Sequence, residues 1–143
     1  MLERYPAGAF DKLMALNVRA VFSVTQALLP FLEAAGFREA PSRVIAIGSI
    51  DGIRVSGVPH FAYSASKAAV HALCKNLADV LAPRNVTVNA IAAGAFRSRM
   101  MAVTLERRGE QVAHSAALGR IGEPADIAGA ALWLASPAGS WIT

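Results

Sequence analysis

Cysteine is nearly absent from the sequence: Cys74 stands alone among 143 residues. No intrachain disulfide is possible, and no cysteine-based zinc site can form. His60, His71 and His114 are the only histidines, and they show no recognisable ligand spacing, so no metal site is expected. Long apolar runs are missing too. Ser23, Thr25, Gln26 and Glu33 interrupt the longest candidate, and no membrane span is expected. The opening "MLERYPAGAF" has neither the basic start nor the apolar core of a secretory signal, which points to a soluble, cytoplasmic protein. Concentrated positive charge is also lacking. The net charge is +4 and the pI about 9.8, but the arginines occur singly or in small clusters such as "FRSRM" and "ERRG". A basic tract interleaved with aromatics is what nucleic acid requires, so no nucleic-acid partner is expected. Scattered positive charge suits small anions better, including phosphate-bearing cofactors.

What the sequence has in quantity is apolar residues, 55% of the chain, many of them alanine. That length and content support one compact domain. Two segments, "RVIAIGS" (43–49) and "NVTVNAIA" (85–92), are β-branched runs bounded by turn residues. Strands apolar on both faces belong inside a parallel sheet. Between them a helical pattern runs over 61–81 and stops at Pro83. A long amphipathic pattern, "FDKLMALNVRAVFSVTQALLPFLEAAG", precedes the first strand. The loop "AGAFRSRM", a polar helical stretch and "EPADIAGAALWLAS" follow the second. Helix alternating with strand predicts an α/β, doubly wound fold.

Within the 61–81 pattern, Tyr63 and Lys67 stand four apart and share one helix face. A nearby cation favours a phenolate, and such a phenol can exchange a proton with a carbonyl or alcohol oxygen. The spacing alone is common, and it equally describes a packed tyrosine beside a solvated lysine. Ser49 ends the first strand, where a sheet's carboxyl edge delivers side chains to ligands; a serine there also caps local backbone. Asn17 lies among Leu16, Val18 and Ala20, an expensive place for an amide without partners. Gly94 permits close backbone approach to a ligand after the second strand, and Ser98 offers a hydroxyl in the same loop. A hydrolase built from Ser49, His60 and Asp51 is disfavoured. "IGSIDG" is not G-x-S-x-G, and Asp51 is too near His60 in sequence to support it in the usual geometry.

Taken together, Asn17 in "ALNVRAVF", Ser49 in "IGSIDG", "YSASK" and "NAIAAGAFRS" resemble the short-chain dehydrogenase/reductase family. That family orders an Asn–Ser–Tyr–Lys tetrad in this way. The tail "LGRIGEPADIAGAALWLASPAGSWIT" looks like the segment before the family's last strand. The resemblance implies NAD(P)-dependent hydride transfer between nicotinamide and a carbonyl or alcohol carbon. Tyr63 would be the general acid/base, Lys67 would support it and bind the nicotinamide ribose, and Ser49 would position the substrate oxygen. Asn17 would stabilise the helix around a water that relays protons to Lys67. Gly94, Phe96 and Ser98, with Tyr63 and Lys67, would contact the cofactor. The family's long helices, here 9–34 and 61–81, would form a homo-oligomeric interface.

Ser49 precedes Tyr63 by 14 positions, one more than most family members show. This and "F-x-S-R-M" look like the branch of 3-oxoacyl carrier-protein reductases of rhamnolipid synthesis. The branch points to NADP over NAD and to acyl-chain or hydrophobic ketone substrates, with walls from 50–60 and 95–117. The family's usual proline before Gly94 is Ala93 here. No T-G-x-x-x-G-x-G loop and no Asn-Asn pair occurs in the chain. The expectation is therefore a single partial domain over 1–143, the C-terminal half of a Rossmann-type fold without its N-terminal nucleotide-binding strands. The competing expectation is a catalytically silent fragment that acts only by helix-mediated association.

Overall fold

A computed structural model describes residues 2–55 and 59–143. Its central helix, α3, spans Phe61–Leu81 as the pattern predicts. Ala62, Ser66, Val70 and Cys74 recur every four residues and are all buried, so one stripe of α3 lies against the sheet. Leu81 closes the buried set, and the turn Ala82–Arg84 holds Pro83. Asn85 then takes the left-handed conformation (φ 57°) that lets the chain reverse into a strand.

The two strands are β1 (Ser42–Ile47) and β2 (Val86–Ile91). They pair in parallel from Ser42 opposite Val86 to Ile47 opposite Ile91, which confirms the expected α/β arrangement. Parallel strands need a crossover, and α3 supplies it. The core gathers Ala46, Val70, Cys74, Leu81, Val86 and Val88. Burial pushes the Cys74 thiol pKa up, which makes it a packing residue and not a nucleophile.

The expected N-terminal helix is three pieces in one rod. α1 (Ala7–Met14) passes through a π-helical turn (Ala15–Arg19) into α2 (Ala20–Ala35). Val18, Val21, Leu29 and Leu32 pack onto the core. Leu16, Phe22, Val24, Leu28 and Phe31 are exposed on the rest of the rod. Its 29 residues are long and apolar enough by composition to cross a membrane, because alanine, valine and phenylalanine outweigh the polar interruptions. Here it serves as a packing helix, with α1 and the π turn against α3 and α2 against β1.

After β2 come α4 (Ala102–Ser115) and α5 (Pro124–Ala135). α5 starts at a reciprocal cap between Glu123 and Asp126, with Pro124 in its first turn. Arg43 on β1 donates to the carbonyls of Leu134 and Ser136 at its far end, which ties α5 to the sheet. The final residues return to β2. Val88 N–H donates to Thr143 Oγ1 at 3.0 Å, and Asn89 Nδ2 to the Ile142 carbonyl at 2.7 Å.

Candidate active site

The stripe of α3 next to its buried one carries Tyr63, Lys67 and His71, again four apart. All three are partly buried, as positions at the border of a helix–sheet contact should be. Lys67 Nζ lies 5.7 Å from the centre of the Tyr63 ring and donates to the Ile47 carbonyl at 2.7 Å. Burial pushes the Lys67 pKa below the ordinary lysine value. The expected pairing of phenol and ammonium on one face is therefore present. The lysine is in addition anchored to the last residue of β1.

Ser49 is buried just beyond that residue. Its Oγ accepts from Asp51 N–H at 3.2 Å and caps the 3-10 turn Ile50–Gly52. Accepting there leaves the Ser49 O–H free to donate to a ligand. Ile50 N–H donates to the Ala93 carbonyl at 2.9 Å. This joins the residues that follow the two strands and puts Ser49 and Gly94 at one sheet edge.

Asn17 sits in the π turn, a rare helical form often found at functional sites. Its Nδ2 donates to Ser66 Oγ at 2.9 Å, and Ser66 Oγ donates to the Tyr63 carbonyl at 2.8 Å. The amide thus finds its partner on α3 and steadies the turn that carries Tyr63.

The loop residues form a second cluster. Phe96 bridges to Gly122, and Gly122 N–H donates to the Ala95 carbonyl at 3.0 Å. Arg97 pairs with Glu123 at 2.8 Å, and Arg120 makes two bonds to Asp126 at 2.7 and 3.0 Å. Arg120 holds the Asp126 carboxyl at about 2. Ser98 Oγ accepts from Met101 N–H at 3.3 Å. Gly94 is exposed, and a Cβ built there meets nothing within 4 Å. Gly94, Phe96 and Ser98 thus form one loop, latched to the start of α5. Gly94, Phe96, Leu118 and Arg120 help line an open cavity of about 420 Å³ beside the latch.

Two features escaped the sequence reading. Asp51 and His60 meet, with Oδ2 and Nδ1 3.6 Å apart. The ring of His60 stands edge-on to Tyr63 at 6.2 Å, while Ser49 Oγ bonds to Asp51 N–H. The second feature is His71. It is expected on an ordinary helix face, yet its Nε2 lies 3.0 Å from the Ser49 carbonyl oxygen. Its place four residues after Lys67 was the available signal. The Ser49–Tyr63 loop, expected to wall a substrate, includes residues 56–58, which lie outside the described residues.

A family model described as enoyl-(acyl carrier protein) reductase matches residues 2–143. The rhamnolipids biosynthesis 3-oxoacyl-[acyl-carrier-protein] reductase of Pseudomonas aeruginosa is 43% identical over 99% of this chain and 56% of its own length. A 3alpha-hydroxysteroid dehydrogenase of Mediterraneibacter gnavus is 36% identical over 97% of this chain and 54% of its own. Among solved structures, the NADP active-site complex of Pseudomonas aeruginosa RhlG superposes with a TM-score of 0.90. It is 41% identical and aligns over 96% of this chain and 56% of that one. The chain thus spans about half the length of the relatives it matches.

Proposed function

The chain belongs to the short-chain dehydrogenase/reductase family, and from that membership we propose that it carries the proton-transfer half of an NAD(P)-dependent oxidoreductase site. The observation that supports this reading is Lys67, whose Nζ donates to the Ile47 carbonyl at the end of β1, two residues before Ser49, and lies 5.7 Å from the centre of the Tyr63 ring. In this reading the Tyr63 phenol gives a proton to, or takes one from, the substrate oxygen. The Ser49 hydroxyl donates to the same oxygen. Lys67 places a cation beside the phenol, and Asn17 steadies the turn through Ser66.

The residues present suit the nicotinamide end of a dinucleotide. At Gly94 the backbone is open to a ligand, and Lys67 and Ser98 offer an ammonium and a hydroxyl. When bound, such a cofactor supplies the hydride. The RhlG complex, at 41% identity, holds NADP, which favours NADP here. The relatives are named for a 3-oxoacyl carrier and a hydroxysteroid, so we propose a hydrophobic ketone or secondary alcohol as substrate. We further propose a cytoplasmic setting and self-association through 9–34 and 61–81.

A second reading, association without chemistry, is favoured by the apolar side chains that α2 leaves exposed. One experiment separates the two. NADPH is titrated into the chain by fluorescence, and reduction of a 3-oxoacyl thioester is followed by loss of NADPH absorbance. The oxidoreductase reading expects Tyr63→Phe to bind NADPH normally and to lose about a hundredfold or more in turnover. Unchanged turnover in that variant rules out Tyr63 as acid/base. A folded wild-type chain that neither binds NADPH nor turns over leaves the second reading.

A further inference from the structure

His71 is used by nothing in the reaction as described, yet it is built into the end of β1. Its Nε2 lies 3.0 Å from the Ser49 carbonyl oxygen and 3.4 Å from the Ser49 nitrogen. The shorter contact suits an Nε2–H that donates to the carbonyl. The other tautomer accepts from the amide, so either one grips the same residue. The ring also fills the space above Gly48. A Cβ at Gly48 falls 2.4 Å from His71 Cε1 and 2.8 Å from Nε2, so glycine there is what admits the ring. Gly48 N–H in turn donates to the Ile91 carbonyl at 2.9 Å, which holds that peptide to β2 from the other side. One turn earlier, Lys67 holds the Ile47 carbonyl.

We propose that His71 is a positioning residue that locks the Ser49 backbone against α3, and so fixes where the Ser49 hydroxyl stands relative to Tyr63. Two successive turns of α3 thus grip the end of β1, Lys67 at Ile47 and His71 at Ser49. The Ser49 side chain inherits its direction from this clamp and from its cap to Asp51 N–H. A misplacement of about 1 Å at such a hydroxyl can cost up to about a hundredfold in rate. The effect on turnover rests on the oxidoreductase reading, whereas the effect on the Ser49 backbone does not.

The test compares His71→Leu, which removes both ring nitrogens, with His71→Gln, which keeps an N–H at similar reach. In the full chain, heteronuclear NMR reads the Ser49 amide and carbonyl shifts, and steady-state kinetics with NADPH varied at saturating ketone reads kcat and the KM for NADPH. His71→Leu should shift the Ser49 signals and lower kcat by about tenfold to a hundredfold, with KM for NADPH unchanged. His71→Gln should restore most of both. Wild-type Ser49 signals in His71→Leu overturn the proposal. So does a folded His71→Gln as impaired as His71→Leu. If His71→Leu does not fold, Gly48→Ala displaces the ring with its nitrogens intact and should give the same Ser49 shifts and the same loss of kcat. Wild-type Ser49 signals there overturn the proposal too. If the wild-type chain shows no turnover, or Tyr63→Phe turns over as fast as wild type, the oxidoreductase reading fails, and the Ser49 signals alone decide the role of His71.

Discussion

Lys67 shows how a residue can serve a site and work against the fold. Burial holds its pKa below that of a free lysine, so the unfolded chain binds this proton more tightly than the folded one. Protonation at this position therefore opposes folding, and stability from it rises as pH climbs through the folded value towards the unfolded one. Its bond to the Ile47 carbonyl does not reverse that balance. Lys67→Met should therefore leave the urea midpoint unchanged or raised while turnover falls about a hundredfold or more. A clear drop in the midpoint would show that the ammonium is a structural tie. At this scale Tyr63 and Lys67 were legible because a four-residue spacing means a shared helix face. The grip of His71 on Ser49 was not, since the spacing says which face but not what that face meets. The Asp51–His60 contact was hidden for the same reason: separation along a loop does not give distance through space.

Between elements, the decisive contact is made by a missing side chain. The turn Ile50–Gly52 lies so close to α3 that a Cβ at Gly52 would be 2.6 Å from the Lys67 carbonyl carbon and 2.7 Å from Ala68 N. Both are backbone atoms of a helix interior and cannot swing aside. Gly52→Ala must therefore push the turn away from α3, carrying Ser49 with it. The expected cost is about 1–3 kcal/mol in urea unfolding, the usual range for overpacking, together with a loss of turnover. Wild-type stability in Gly52→Ala would mean the turn can shift freely. The core elements were readable in the sequence: 61–81 and the β-branched runs stand where expected, with strand ends shifted by one or two residues. Those elements follow local rules of periodicity and proline punctuation. The π turn at Asn17 and the latch from Phe96 and Arg97 to Gly122 and Glu123 follow no local rule. Each depends on a partner far away in sequence.

For the whole molecule, the unresolved balance is between the core and the apolar surface around it. A helix with a second apolar face beyond the one turned to the core normally has that face covered as well. α2 gives Val21, Leu29 and Leu32 to the core, but Val24, Leu28 and Phe31 stand 56%, 49% and 71% exposed. Their spacing of four and then three puts them on one face. α3 adds the exposed alanines Ala65, Ala68 and Ala72, which let another helix approach closely. Two like faces brought together by a two-fold axis would cover each other, which is the commonest closed arrangement for identical chains. At micromolar concentration the chain should therefore sediment at twice its 15.0 kDa mass. Leu28→Glu combined with Phe31→Glu should return it to monomer, because charges carried into that contact have no partner. A wild-type chain that sediments as a monomer removes a second copy as the covering partner. Sedimentation that changes only when detergent is added points instead to a lipid-facing rod, which its length and composition also permit.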